Sequence, residues 1–227
     1  MLANLLGKTF ENDSVAVIGL GRFGSAVAES LTSLGHEVLG IDNDSQRVQQ
    51  WVDRLTHVAQ ADTTDIRALQ QLGLDQFPHV VVSIGSDLEA SVLTVLALQQ
   101  LGVADIWAKA LSKRHGLILE RTGAHHVVYP ETSMGERVAH LVTGKMFEFI
   151  EFDDGFAIAS ARAPRAILGQ TLADAEVHTR YGVTIIGVKR PRADFIYAKP
   201  DTLIHPGDIL IVAGETKRVE KFAAVTA

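Results

Sequence analysis

Along the first 130 positions, hydrophobic residues fall in short unbroken runs, each followed by a longer stretch with helical spacing. V-A-V-I at 15–18 is an apolar run closed by glycine and reads as a buried strand. Residues 25–34 place Val27, Ala28 and Leu31 on one helical face and stop at Gly35. Residues 37–42 predict a second strand, and residues 45–55 a helix with Val48, Trp51, Val52 and Leu55 on one side. Four more strands are expected over 56–61, 80–84, 106–110 and 126–129, with helices over 65–72, 88–101 and 112–122 between them. Strands and helices alternate strictly, and the strands are apolar throughout. That pattern predicts an α/β domain with a doubly wound parallel sheet covered on both faces.

The pattern changes at Pro130. Residues 131–142 read as a helix with Met134, Val138, Leu141 and Val142 on one face. After Gly144 the chain turns strand-rich. Residues 147–152 alternate, 156–159 follow an Asp-Asp-Gly turn, 183–188 are apolar, and 209–212 follow a Gly207-Asp208 turn. The expected organisation is a nucleotide-binding domain over 1–130, a linker helix over 131–144, and a small α+β C-terminal lobe with a mostly antiparallel sheet over 145–227. The apolar face of the linker helix needs a cover, and a second subunit serves as well as this one.

Composition narrows the class. The net charge of −6 and the lack of a basic stripe argue against a nucleic-acid partner. With no cysteine, disulfides, thiolate zinc sites and cysteine nucleophiles are excluded. The N-terminal apolar patch at Leu2, Leu5 and Leu6 has no leading positive region and is not expected to act as a signal peptide. The longest uncharged stretch, 90–104, is shorter than the roughly 20 apolar residues a spanning helix needs. The expectation is a cytoplasmic protein that reaches a membrane only through a partner.

The chemistry begins at I-G-L-G-R-F-G, residues 18–24. Between a strand and a helix, Gly19 permits a tight turn, Gly21 lets the backbone approach a phosphate, and Gly24 lets the helix pack on the strand. Free N–H groups of the helix N-terminus then face the anion. Asp42 ends the second strand, where a carboxylate takes ribose hydroxyls and repels a 2′-phosphate. This is a Rossmann-like nucleotide site, and Asp42 disfavours NADP without separating NAD from ATP, ADP or AMP. Arg22 reads equally as a solvated surface arginine and as a ligand for a phosphate outside the loop. Lys109 is a charge in an apolar strand, placed at the end where ligands bind.

These motifs in order resemble the RCK (regulator of K⁺ conductance) family. They are V-I-G-L-G-R-F-G, V-L-G-I-D, A-D-T-T, V-V-S-I-G-S-D-L-E-A-S, I-W-A-K-A and G-A-H-H-V-V-Y-P-E, followed by L-G-Q-T-L, R-Y-G-V-T-I-I-G-V-K-R and P-G-D-I-L-I-V-A-G. The likeness is to the TrkA-N/TrkA-C regulatory subunits of Ktr/Trk-type bacterial potassium transporters, and covers roughly residues 13–225. It implies homo-oligomers, dimers that assemble into an octameric ring beneath a membrane-embedded potassium channel or transporter subunit. ATP and ADP compete for one site in such proteins.

Residue by residue, the resemblance makes Gly19, Gly21 and Gly24 the phosphate loop, with Phe23 and Asn43 in the binding set. Asp42 and Asp44 border the ribose, and Asp62 and Thr63 the adenine. Ile84, Gly85 and Ser86 line the pocket, and Lys109 and His115 lie on the phosphate side. Arg22 would reach a terminal phosphate across a dimer. Glu131 would hold a cation (Mg, Ca or Na) at the dimer interface. Some relatives bind cyclic di-AMP in the C-terminal lobe, where this chain has Arg180-Tyr181-Gly182.

No G-x-S-x-G elbow or Walker lysine motif is present. The leading expectation is therefore a nucleotide switch and not an enzyme. One alternative is an NAD(H)-binding regulator of the same kind. The other is a small NAD-dependent oxidoreductase, for which His115 is the one acid/base candidate.

Overall fold

The computed structural model describes residues 13–142, 146–152 and 155–225, with the His140 side chain left aside. The apolar patch at Leu2, Leu5 and Leu6, residues 143–145 and the Asp153-Asp154 turn lie outside the described residues. The chain divides into two compact units, Met1–Glu131 and Thr132–Ala227.

The first unit alternates β1 (Ser14–Ile18), α1 (Arg22–Ser33), β2 (Glu37–Asp42), α2 (Ser45–Trp51), β3 (His57–Gln60), α3 (Ile66–Gln71), β4 (His79–Val82), α4 (Leu88–Gln100), β5 (Asp105–Lys109), α5 (Lys113–Thr122) and β6 (His126–Val128). All six strands are parallel, in the order β3-β2-β1-β4-β5-β6. Successive side chains leave a strand on opposite faces. In β1, Val15 and Val17 pack with Ala28, Val38, Trp51 and Leu55, while Ala16 and Ile18 pack with Ile41, Leu69, Val82, Leu98 and Ile106. Burial on both faces is why the strands read as continuous apolar runs and not as alternation.

The N-terminal ends of β4, β5 and β6 differ. The register pairs His79 with Asp105 and Trp107 with His126, so all four side chains share one face. Asp105 accepts from His79 Nδ1 at 2.7 Å and from Trp107 Nε1 at 2.8 Å, and lies 3.2 Å from His126 Nε2. The His126 ring stacks on Trp107 with centroids 4.1 Å apart. Burial opposes ionisation of Asp105, but the His79 and Trp107 hydrogen bonds and the neighbouring histidines hold its pKa below the ordinary value.

Helix α6 (Pro130–Val142) begins in the first unit and runs on in the second. Met134, Val138, Leu141 and Val142 are exposed along it. The second unit carries β7 (Glu148–Glu151), β8 (Phe156–Arg162), α7 (Leu172–Ala175), α8 (Val177–Tyr181), β9 (Val183–Lys189), β10 (Phe195–Tyr197), β11 (Ile209–Glu215) and α9 (Thr216–Val225). Its five strands are antiparallel in the order β10-β9-β11-β8-β7. Ala159, Ala161, Val188, Leu210 and Val212 from the sheet meet Ile167, Val177, Val219 and Phe222 in one core. The expected strands are present. The short helices α7 and α8, strand β10 and helix α9 were not anticipated, and β11 runs three residues past the expected end.

Candidate functional site

Strand order reverses between β1 and β4, and a cavity of about 710 Å³ opens at their C-terminal ends. That switch point is where open α/β sheets hold ligands. The loop after β1 forms one wall. Gly19 has φ +89, a left-handed value that favours glycine, and its N–H donates to the Ile41 carbonyl at 2.7 Å. A Cβ at Gly24 would lie 1.9 Å from the Gly19 carbonyl oxygen, so the start of α1 packs on the loop only through glycine. A Cβ at Gly21 would meet nothing within 4 Å. The protein's own packing leaves the space over Gly21 open on the cavity side.

Helix α1 starts at Arg22, three residues before the expected start, because Gly21 itself is the N-cap. No side chain caps it and no acid sits in its first turn. Its leading N–H groups are available to an anion. Arg22, Phe23 and Ser25 line the cavity from this helix.

Asp42 closes β2 and is buried. Its Oδ2 accepts the Leu20 N–H at 2.7 Å and its Oδ1 accepts the Asp44 N–H at 2.9 Å, so the carboxylate ties the glycine loop to the next turn. Asn43 lines the cavity, as do Arg47, Gln50 and Trp51 from α2. Asp44 is outside the lining. Its carboxylate caps α2 by accepting the Gln46 N–H at 2.9 Å. Asp62 and Thr63 form the next stretch of wall. Hydrogen bonds from the Thr64 hydroxyl and N–H hold the Asp62 carboxyl below its ordinary pKa. The Thr63 hydroxyl lies 2.9 Å from that of Thr94 in a buried pair.

Strand β4 ends at Val82, and the turn 83–86 supplies Ser83, Ile84, Gly85 and Ser86 to the cavity. The Ser83 hydroxyl donates to the carbonyls of Ile18 and Gly19, bolting the two loops together. At the far wall, Lys109 is buried at the end of β5 and its Nζ donates to Glu131 Oε1 at 2.6 Å. Lys109 Nζ also lies 5.6 Å from the centroid of the Phe23 ring. The Lys109 hydrogen bond, with the charges of Lys109 and Arg22, keeps the Glu131 carboxyl below its usual pKa against a smaller opposing effect of burial.

His115 is not brought to the cavity. It is buried in the first turn of α5, where Nδ1 accepts the Leu111 N–H at 3.3 Å and Nε2 has no partner. Burial lowers its pKa. His115 thus stands behind the cavity wall, hydrogen-bonded to Leu111 of the lining, and not in the lining itself. Arg47, Ser83 and Trp51 were missed by the sequence reading. Arg47 had a signal of a kind, a cation one turn into the helix that follows the acidic strand end. Ser83 had none, because a lone hydroxyl gains meaning only when β1 and β4 are adjacent.

A parallel six-stranded sheet with a glycine loop, a strand-end acid and a cavity at the switch point defines a Rossmann-like binding domain, here followed by an antiparallel α+β lobe. Residues 15–130 match the TrkA-N domain and residues 158–226 the TrkA-C domain, and the chain belongs to this family. It is 36% identical over 208 residues to Ktr system potassium uptake protein C of Bacillus subtilis (strain 168), covering 91% of this chain and 94% of that protein. It is 33% identical over 213 residues to Ktr system potassium uptake protein A of the same organism, covering 93% and 96%. The Vibrio alginolyticus Ktr system potassium uptake protein A is 35% identical over 202 residues, covering 88% and 91%.

Among solved structures, the GsuK channel bound to NAD superposes with a TM-score of 0.67 at 17% identity, over 94% of this chain and 39% of that one. GsuK bound to ADP gives 0.51 at 25% identity, over 62% and 36%. The chain thus spans less than half the length of these GsuK chains. Among the described residues, no helix is long and apolar enough to cross a membrane.

Proposed function

We propose that the chain is a regulatory subunit of a potassium transporter, that it binds an adenine nucleotide in the glycine-loop cavity, and that it performs no chemistry of its own. One observation carries the reading. The uncapped N-terminus of α1 faces a cavity of about 710 Å³ that has Arg22 and Lys109 at one end and Asp42 at the other. That charge arrangement suits a phosphate chain at one end and a ribose with free hydroxyls at the other, in a volume typical of small-ligand sites. Likeness to Ktr proteins over nearly the whole chain supplies the transport context. Regulation then requires only that two conformations differ in affinity for two ligands.

ATP and ADP are the ligands of choice, with Arg22 reading the terminal phosphate from a neighbouring subunit. The exposed apolar residues of α6 support an oligomer in which a second copy covers them. The reading extends to a dimer, and to a ring built from dimers on the cytoplasmic side of a membrane-embedded transport subunit. The donor set of one chain does not fit the cation expected at Glu131. Lys109 already occupies that carboxylate, and no group of three or more His, Asp or Glu able to hold a metal occurs among the described residues. The cyclic di-AMP expectation rests on the resemblance alone. In the second unit, Arg180 lies over the Tyr181 ring and 3.5 Å from the Ala175 carbonyl.

The test is calorimetry and solution mass on the purified chain with ATP, ADP, NADH and no ligand. The expected result is micromolar or tighter ATP and ADP binding with different assembled masses. Arg22→Ala should lose the preference for ATP over ADP while still binding ADP. Equal losses for both nucleotides would remove the terminal-phosphate role, and binding of NADH alone would replace the ligand.

A further inference from the structure

The ribose edge of the cavity holds a cation that none of the roles above uses. Arg47 sits one turn into α2, and its guanidinium is shared between two carboxylates. Nη1 is 3.4 Å from Asp42 Oδ2 and Nε is 3.6 Å from Asp44 Oδ2. Nη1 donates a long hydrogen bond to Asp42, and the Nε–Asp44 approach is an ion pair without one; both distances exceed the roughly 2.7–2.9 Å of a tight charge-assisted bond. The three groups also differ in freedom. The Asp42 side chain is 3% exposed and fixed by two backbone N–H groups, whereas Arg47 is 47% and Asp44 42% exposed.

We propose that Arg47 is the specificity-determining residue for the 2′ position of an adenosine ligand, and that Asp44 holds it in check. The proposal rests on the reading that Asp42 receives the ribose of an adenine nucleotide. In this fold, an arginine beside the strand-end acid is the group that accommodates a 2′-phosphate. Here that arginine exists, but two carboxylates surround its single charge. A 2′-phosphate meets a net negative edge and is rejected, while a free hydroxyl is accepted by Asp42. Asp62, the other carboxylate lining this part of the cavity, is engaged by Thr64 and adds to the repulsion. Removing the Asp44 charge frees the Nε side of the fork, which can then take a phosphate oxygen. The discrimination is therefore set by a helix-capping residue outside the cavity lining.

The experiment uses AMP and adenosine 2′,5′-bisphosphate, which differ only in the 2′-phosphate, each measured by calorimetric displacement of ADP from the full chain. The wild-type protein should favour AMP by on the order of tenfold or more, the effect of juxtaposed like charges. Asp44→Asn and Asp44→Ser both retain a side-chain cap for α2, so two independent variants remove the charge and keep the cap. Either should shrink the preference severalfold. With Arg47→Ala added, the same Asp44 substitution should leave the preference almost unchanged. An equal shrinkage with and without Arg47 would show simple relief of repulsion and overturn the proposal. An unchanged ratio in the Asp44 variants would overturn it too. Failure of the wild-type chain to bind ADP at all is a different outcome, which removes the nucleotide reading and the proposal with it.

Discussion

The two ends of the cavity are electrostatic mirror images. At the end of β2 a buried acid, Asp42, faces a half-exposed cation, Arg47. At the end of β5 a buried cation, Lys109, faces an exposed acid, Glu131; the side chains are 10% and 64% exposed. In each pair the buried member is anchored by the sheet and the exposed member rides on a helix, α2 or α6. The difference lies in what else the buried member does. Asp42 holds two backbone N–H groups and so shapes the loop. Lys109, apart from its contact with Phe23, is held by Glu131. The Asp42 end is therefore built into the fold, whereas on the proposed reading the Lys109 end exchanges Glu131 for a phosphate.

Three substitutions test this contrast. The largest effect is expected for Asp42→Ala, which strands the buried Leu20 N–H and leaves the part-buried Asp44 N–H to water. A buried unsatisfied donor costs about 1–3 kcal/mol, and urea denaturation should show a loss in that range. A loss under about 1 kcal/mol would mean that Asp42 is a ligand group and little else.

Next come the two halves of the other pair. Lys109→Met replaces a buried cation with an apolar chain of similar length and leaves Glu131 to water, so stability should change by less than about 1 kcal/mol. Its ADP affinity should fall by about tenfold, as expected for one lost charge-assisted contact. Equal ADP affinity in wild type and Lys109→Met would show that the phosphate end is not at Lys109. Glu131→Gln leaves the lysine buried with a weaker acceptor, so it should lower stability modestly and let ADP restore more of it than in the wild type.

The smallest effect is in pH. Folding lowers the proton affinity of the Glu131 carboxyl, chiefly through the Lys109 hydrogen bond. Its contribution is in force above the ordinary carboxylate range and fades as pH falls through the lowered folded value. The stability gap between wild type and Glu131→Gln should thus narrow on acidification below that range. A gap that stays constant down to pH values where all carboxylates are protonated would assign the loss to shape and not to charge.

The sequence made the scaffold of the first unit legible because its signals are local. Six apolar runs, glycine stops and a strand-end acid each report on their own few residues, and the parallel sheet follows. The loop glycines were read with their separate jobs, and at Gly24 a Cβ would strike the Gly19 carbonyl, so only glycine lets the helix start pack there. What escaped depends on tertiary neighbours. Ser83 matters only because β4 lies against β1. The resemblance put His115 on the phosphate side, whereas α5 buries it one turn before Leu119. In the second unit, β10 is three residues long and follows a turn, too short to carry a period. Helix α9 did carry one, with Val219, Phe222 and Ala223 buried at helical spacing. Its four charged residues masked it.

The chain has two tryptophans, Trp51 at the end of α2 and Trp107 in the middle of β5. Trp51 lines the cavity with the Arg54 guanidinium 4.2 Å from its ring centroid, while Trp107 stacks on His126. The fold thus carries two optical reporters of different events. Replacing Trp107 with phenylalanine leaves one emitter beside the cavity, so occupancy can be followed by intrinsic fluorescence without a dye. Replacing Trp51 leaves the other, which does not line the cavity and so reports on the fold around it. Together the two proteins turn one wavelength into separate readings of ligand and fold.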